Sequence, residues 1–322
     1  MQKTKYNKFL LFLRSIPSIS WILVFMVGIF IVIIPYFGTI DNAFNIMRQG
    51  AVLIIVAMGM MMVISSGGID LSVGSLVGLS GTLTAFLIAK GIIWYFALLI
   101  GISACSLIGL INGLVISRGQ IFPFVVTFGM LFVAQSISLG FSQGGSIHID
   151  SIPFSIINYG YFLMFPIPFW IMAGLILLIA FIMKRTVIGR YIFAIGNDAT
   201  SASWMGINVD LYRMVVYLIS GTLAGIAGVI LASRVRTGNA LIGQYTNFFA
   251  IAAVVIGGTP ITGGRGSFLG AAIGALVITV LQNGLTLFGL SSELITTIVG
   301  ITLMAGVILA QMIFQGGLRG NN

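Results

Sequence analysis

Apolar runs of roughly bilayer length follow one another along this chain, separated by short polar connections. A helix needs about 20 predominantly apolar residues to cross a membrane. On that measure the spans fall at about 19–37, 48–66, 71–89, 92–116, 121–141, 160–183, 212–232, 245–258, 267–289 and 292–314. The eighth is the weakest: its core, Phe248 to Ile256, is short and reads as a re-entrant or broken helix. The pattern predicts an all-α polytopic membrane protein of about ten transmembrane helices, forming one domain over residues 1–322.

Composition agrees. Hydrophobic residues make up 59% of the 322 and charged residues 7%, against about 45–50% and about 25% in an ordinary soluble domain. Too few charges remain to cover a water-facing surface. Lys3, Lys5, Lys8 and Arg14 precede the run Ser18 to Phe37, and no small-residue cleavage site follows it. This reads as a cytoplasmic tail, 1–18, and an uncleaved first span. Alternating sides from there puts Lys3, Lys5, Lys8, Arg14, Arg118, Lys184, Arg185, Arg190, Arg213, Arg265 and Arg319 inside. Arg48, Lys90, Arg234 and Arg236 fall outside. That 11:4 division of the fifteen basic residues follows the positive-inside rule, so the net charge of +9 is explained by topology, not by nucleic acid. Two connections are long. Segment 142–159 carries no Lys or Arg and is expected outside; 184–211 is the one sizeable polar stretch and is expected in the cytoplasm, a place for a partner to dock.

Candidate chemistry is sparse. One cysteine, Cys105, permits no internal disulfide and reads as a buried small hydrophobe; one histidine, His148, argues against a metal site. No metal or cofactor is expected. Among six acidic residues, none lies mid-span, which disfavours an ion-coupled carrier. Asp70, in Gly67-Gly68-Ile69-Asp70-Leu71-Ser72, sits at a break, where it reads as an N-cap of the next helix or as part of a pathway. Gly263-Gly264-Arg265-Gly266-Ser267 lacks the lysine and spacing of a phosphate-binding loop, so any ATP is bound by another polypeptide. His148 and Asp150 read as a solvated pair without a nucleophile beside them. Met58, Met60, Met61 and Met62 read as packing. Gly101, Gly109 and Gly113, like Gly270 and Gly274, have the spacing that lets membrane helices approach closely. Asn112 and Asn283 are polar groups within spans, suited to interhelical hydrogen bonds or to sugar hydroxyls. Residues 63–78 and 255–270 match at six of sixteen positions, an internal echo of two helix–break–helix units of the kind built into many transporters.

Several segments then resemble, in order, the membrane permeases of ribose-type sugar ABC importers. These are Gly68-Ile69-Asp70-Leu71-Ser72-Val73-Gly74, Gly109-Leu110-Ile111-Asn112-Gly113 and Pro123-Phe124-Val125-Val126-Thr127-Phe128-Gly129. Gly257-Gly258-Thr259 with Gly263-Gly264-Arg265-Gly266, and Asn283-Gly284-Leu285, complete the set. The resemblance covers about residues 45–310. It implies a bacterial inner-membrane transport subunit, not an enzyme, that forms a sugar pathway with a second permease, identical or not. A cytoplasmic ATP-binding subunit would drive it and an extracytoplasmic sugar-binding protein would supply it. It makes Asp70, Ser72, Asn112, Thr127 and Asn283 the candidates to line the pathway. It also implies that 184–211 is the coupling segment, with Gly196, Asp198, Ala202, Trp204, Met205 and Gly206 engaging the ATPase through a short helix from Asp198 to Met205. Here the chain departs from the family: Ser201-Ala202 replaces a pair of alanines, Ser203 stands at an often basic position, and Trp204 and Met205 add apolar surface. Permeases for branched-chain amino acids or nucleosides share the glycine signatures and are the alternative within the class; an autonomous secondary transporter is the alternative outside it.

Overall fold

The computed structural model describes residues 19–302 and 304. The tail 1–18, the far end of the last span and Arg319 lie outside the described residues. In chain order come α1 (Ile19–Ile33), α2 (Ile40–Ser65), α3 (Val73–Ala89), α4 (Trp94–Gly119), α5 (Pro123–Ser142), β1 (Ile147–His148), α6 (Ile152–Tyr159), β2 (Tyr161–Phe162) and β3 (Phe165–Pro166). There follow α7 (Ile167–Arg185), α8 (Val187–Asn197), α9 (Ala199–Trp204), α10 (Val209–Val235), β4 (Thr237–Gly238), α11 (Thr246–Ile256), α12 (Phe268–Leu287) and α13 (Ser292–Thr302). The strands are two-residue pairs, β1 with β4 and β2 with β3, both antiparallel; otherwise the described chain is helical. Six helices, α2, α4, α5, α7, α10 and α12, are long and apolar enough to cross a membrane, and α1, α3, α11 and α13 are shorter apolar helices. Each overlaps one of the ten expected apolar runs, six of which hold a helix of spanning length.

Boundaries move where polar or proline residues interrupt the apolar pattern. Helix α2 begins at Ile40, two turns before the apolar run, because Thr39 caps it by accepting from the Asn42 N–H (3.3 Å). The sixth span was expected from residue 160, but α7 starts at Ile167. Pro166 and Pro168 fit only the first turn of a helix, so residues 161–166 form the β2–β3 hairpin instead. Segment 142–159 is not plain loop: α6 occupies its second half, with Ser151 accepting from the Phe154 N–H.

Helix α2 is the core element. Every residue from Gly50 to Ser65 is buried, including Met58, Met60, Met61 and Met62, which pack as expected. Helices α4 and α10 approach closely through glycine. A Cβ on Gly113 would lie 2.7 Å from Met214 Cα, and one on Gly109 would meet the Tyr217 carbonyl and lie 3.2 Å from Gly221 Cα. Gly270 and Gly274 do the same for α12 against Gly257 and Ala253. Cys105 is buried, its thiol 3.2 Å from the Leu76 carbonyl.

The eighth span is broken. Residues 239–245 run as irregular backbone beside α3 before the 11-residue α11 begins. Two glycines of α3 admit that backbone: a Cβ on Gly78 would lie 2.5 Å from the Ala240 carbonyl, and one on Gly74 would lie 2.9 Å from the Gly243 carbonyl. Non-helical backbone at membrane depth must be covered by protein or line a water-filled cavity; here α3 covers one side of it, with Ala240 buried and Leu241 and Tyr245 exposed.

Candidate functional site

The loop between α2 and α3 carries Asp70, which is buried, as are Ser72, Asn112 and Thr127. Asp70 Oδ1 accepts from the Ser72 N–H (3.0 Å) and the Ser72 hydroxyl (2.6 Å), and Oδ2 accepts from the Ser220 hydroxyl of α10 (2.9 Å). Asn112 Nδ2 of α4 donates to Ser72 Oγ (3.0 Å). Thr127 of α5 donates to the Ile69 carbonyl (3.2 Å), and so does the Tyr217 hydroxyl of α10 (3.4 Å). Asn247 Nδ2, in the first turn of α11, donates to the Leu71 carbonyl (3.1 Å). Four of the five expected pathway residues thus meet around residues 69–72, where α4, α5, α10 and α11 converge.

The N-cap reading of Asp70 is corrected: α3 begins at Val73 with Ser72 in the cap position, and Ser72 makes no side-chain cap. Asp70 pins the loop and α10 instead. Asn283 stands apart, its amide exchanging two 3.0 Å hydrogen bonds with that of Asn42 and joining α12 to α2. Tyr217, Ser220 and Asn247 went unread in the sequence. Each is one polar side chain in an apolar run, and its partner lies 148, 150 or 176 residues away.

A second constellation lies on 184–211. Asp198 accepts from the Thr200 N–H (3.0 Å) and the Ser201 hydroxyl (2.6 Å), capping α9. Those two bonds, the Ser201 hydroxyl first, hold its carboxyl below the usual range by favouring the charged form. The expected helix 198–205 is present as α9, with Asp198 as N-cap and Met205 as C-cap. Ala202 is buried, while Trp204 is 83% exposed and Met205 70%. Gly206 follows at φ +81°, a conformation L side chains rarely adopt. This apolar tip is offered outward.

Between the two constellations is a joint of bare backbone. A Cβ on Gly196, at the end of α8, would collide with the Ser65 carbonyl and lie 2.6 Å from the Gly264 nitrogen. The Gly264 N–H donates to that same Ser65 carbonyl (3.1 Å). One on Gly263 would lie 2.9 Å from the Gly67 nitrogen and 3.0 Å from the Gly196 carbonyl. Segment 184–211 therefore touches both glycine-rich breaks of the internal echo, and the first of these leads within four residues to Asp70.

His148 Nε2 and Asp150 Oδ1 lie 3.2 Å apart with side chains 64% and 91% exposed, as a solvated pair should be. Among the described residues no group of three or more His, Cys, Asp and Glu side chains comes together as a metal site.

Residues 42–309 match the family described as branched-chain amino acid transport system / permease component. The ribose import permease protein of Haemophilus influenzae is 35% identical over 297 residues, covering 91% of this chain and 92% of that one. The ribose import permease protein of Bacillus subtilis is 36% identical over 290 residues, 88% and 90% of the two chains. The D-allose transport system permease protein of Escherichia coli is 33% identical over 297 residues, 91% and 90%. No solved structure matches the chain.

Proposed function

This chain belongs to that permease-component family as a ribose-type ABC permease, and on that premise we propose that it forms, with a second permease, the pathway of an importer for a ribose-like monosaccharide. ATP is hydrolysed on a separate cytoplasmic subunit, and an extracytoplasmic binding protein delivers the sugar. The whole chain is one permease domain of ten spans, with both termini and 184–211 in the cytoplasm and 142–159 outside. The family's description keeps a branched-chain amino acid as the second reading; the ribose and allose relatives favour a sugar.

The observation that carries the coupling assignment is the line of contact from α9 through Gly196 to Ser65 and Gly264. Trp204 and Met205 enter a groove of the ATPase, and movement of α9 reaches both breaks through backbone contacts that no side chain cushions. The Asp70 hub holds α4, α5, α10 and α11 in register at the far side of the first break. Asp70, Ser72, Asn112 and Thr127 thus border the pathway by positioning its helices, and Asn283 does so by fixing α12 to α2.

The test is reconstitution. Permease alone in vesicles accumulates no sugar under a proton or sodium gradient and hydrolyses no ATP; permease with its ATPase and binding protein does both. Gradient-driven accumulation by the lone polypeptide would defeat the proposal.

A further inference from the structure

The end of the bundle remote from α9 carries features that sugar transport does not use. Hairpin residues Tyr161, Phe162, Leu163, Met164 and Phe165 are exposed, Met164 to 84%. The hairpin is fixed, since Trp170 donates its indole N–H to the Phe162 carbonyl (2.8 Å) and its ring packs edge-on against Phe162 and Phe165. A rigid hairpin this apolar, at the start of a spanning helix, belongs at the headgroup boundary where Tyr and Trp collect.

A cation sits in that layer without a carboxylate. Arg48 Nε donates to the Asn158 carbonyl (3.2 Å), another guanidinium nitrogen donates to the Tyr161 hydroxyl (2.6 Å), and the group lies 5.1 Å from the Tyr161 ring centre. These bonds use two of its five N–H donors. Among the described residues the one carboxylate contact at this end is that of His148 with Asp150, and Arg48 has none. Beside it the buried Asn158 side chain has no partner among the described residues for either amide atom.

A cavity of about 450 Å³ opens between α1, α2, α7 and α12, its wall formed by apolar residues such as Val27, Phe37, Met47, Ile54, Phe169 and Met172. Met47 and Phe169 line it; their chain neighbours Arg48 and Trp170 belong to the rim. Since the chain crosses a bilayer, acyl chains are the medium at its mouth, and an unfilled crevice forfeits the contacts of its whole lining.

We propose that this is a phospholipid-binding site, with one acyl chain in the crevice and the phosphodiester on Arg48 at the Tyr161 rim. A guanidinium fork suits phosphate, and Arg48 keeps donors free to serve it. The proposal goes beyond the transport reading and rests only on the chain spanning a membrane.

Native mass spectrometry of the permease–ATPase assembly in detergent tests it, with dioleoylphosphatidylglycerol as probe. Dioleoylglycerol supplies the same chains without phosphate, and inorganic phosphate supplies the anion without chains. We expect one phosphatidylglycerol per permease chain, held at least tenfold more tightly than dioleoylglycerol. Arg48→Gln should erase that preference, and Ala43→Phe, which fills the crevice, should weaken both lipids about tenfold. Equal retention by wild type and both variants would overturn the site, as would inorganic phosphate competing as well as the whole lipid. So would Arg48→Gln leaving lipid retention intact while weakening docking of the sugar-binding protein, which would assign the arginine to a protein carboxylate. ATPase recovery is scored separately: its absence from wild type would count against the importer reading and leave the lipid measurement standing.

Discussion

The Asp70 hub and the α9 tip carry residues marked by the same family resemblance, yet the fold treats them in opposite ways. Around Asp70 both carboxylate oxygens accept hydrogen bonds from the chain's own groups, and nothing polar is offered outward. At α9 a tryptophan and a methionine stand in the open, held by one capping aspartate. A shared motif signals importance; burial tells holding from meeting. The hub arranges helices, the tip is the surface we propose for the ATPase, and the Gly196 joint lies between them.

The largest expected effect breaks the comparison at the joint. In Gly196→Val a side chain would have to occupy the space of the Ser65 carbonyl, which is backbone and cannot rotate away. ATPase recovery should stay near wild type, because Trp204 and Met205 are untouched, while ATP-driven sugar uptake falls more than tenfold. Uptake and hydrolysis measured on the same proteoliposomes check this, and unchanged coupling would remove Gly196 from the line of transmission. Gly206→Ala is the counterpart. It meets no atom within 4 Å but sits at φ +81°, so it should cost only about 1 kcal/mol and leave coupling largely intact.

The second prediction weighs the hub. Read as a surface cap, Asp70→Ala costs about 1 kcal/mol. In its buried setting it strands the Ser72 N–H and the Ser72 and Ser220 hydroxyls, and buried donors left unsatisfied raise the figure to about 3 kcal/mol. Asp70→Asn keeps one acceptor oxygen and should fall between. Thermal unfolding of the purified assembly gives the order. If Asn unfolds like wild type yet uptake is abolished, the charge itself is functional and the hub does more than hold helices.

The third prediction probes the tip. Trp204→Ala removes a rigid exposed aromatic of the kind that anchors interfaces, worth about 2 kcal/mol, or roughly thirtyfold in affinity for the ATPase. Insertion and permease pairing should not change. Equal ATPase recovery with normal sugar-stimulated hydrolysis would take Trp204 out of the docking contact and make it an aromatic anchor at the headgroup layer.

How much of this was legible in the sequence follows from how local each feature is. The spans, the short helix with Asp198 at its start, and the break at 67–72 are written in consecutive residues, so pattern and composition reveal them. The partners of Asp70 are not. Ser220 and Tyr217 sit in a run that reads simply as apolar helix, and close packing of α10 against α2 and α4, through Gly59 and Gly109, brings them to the loop. Asn283 resembled a pathway residue because its motif is shared, but its partner Asn42 lies outside the apolar run that defined the second span. The irregular stretch 239–245 gave a weak hydropathy signal because half of that crossing is not helix at all.

The smallest effect sharpens the comparison from the side of charge. Asp198 and Asp70 both accept from a hydroxyl and a backbone N–H, but Asp198 does so in water. Its carboxyl is held below the ordinary value by the Ser201 hydroxyl and the Thr200 N–H. A depressed folded value means that its contribution to α9 is complete above the unfolded carboxyl value of about 3.9 and is lost only as pH falls below it. Between pH 5 and 8 the cap should therefore impose no pH dependence on ATPase docking. Asn caps nearly as well as Asp, so Asp198→Asn should dock within about twofold of wild type. Asp198→Ala, which leaves the Thr200 N–H unbonded, should weaken docking a few-fold, well short of Trp204→Ala. ATPase titrations against the three variants decide the matter. If Asn loses as much as Ala, the tip depends on the negative charge itself and the partner's groove must supply a cation.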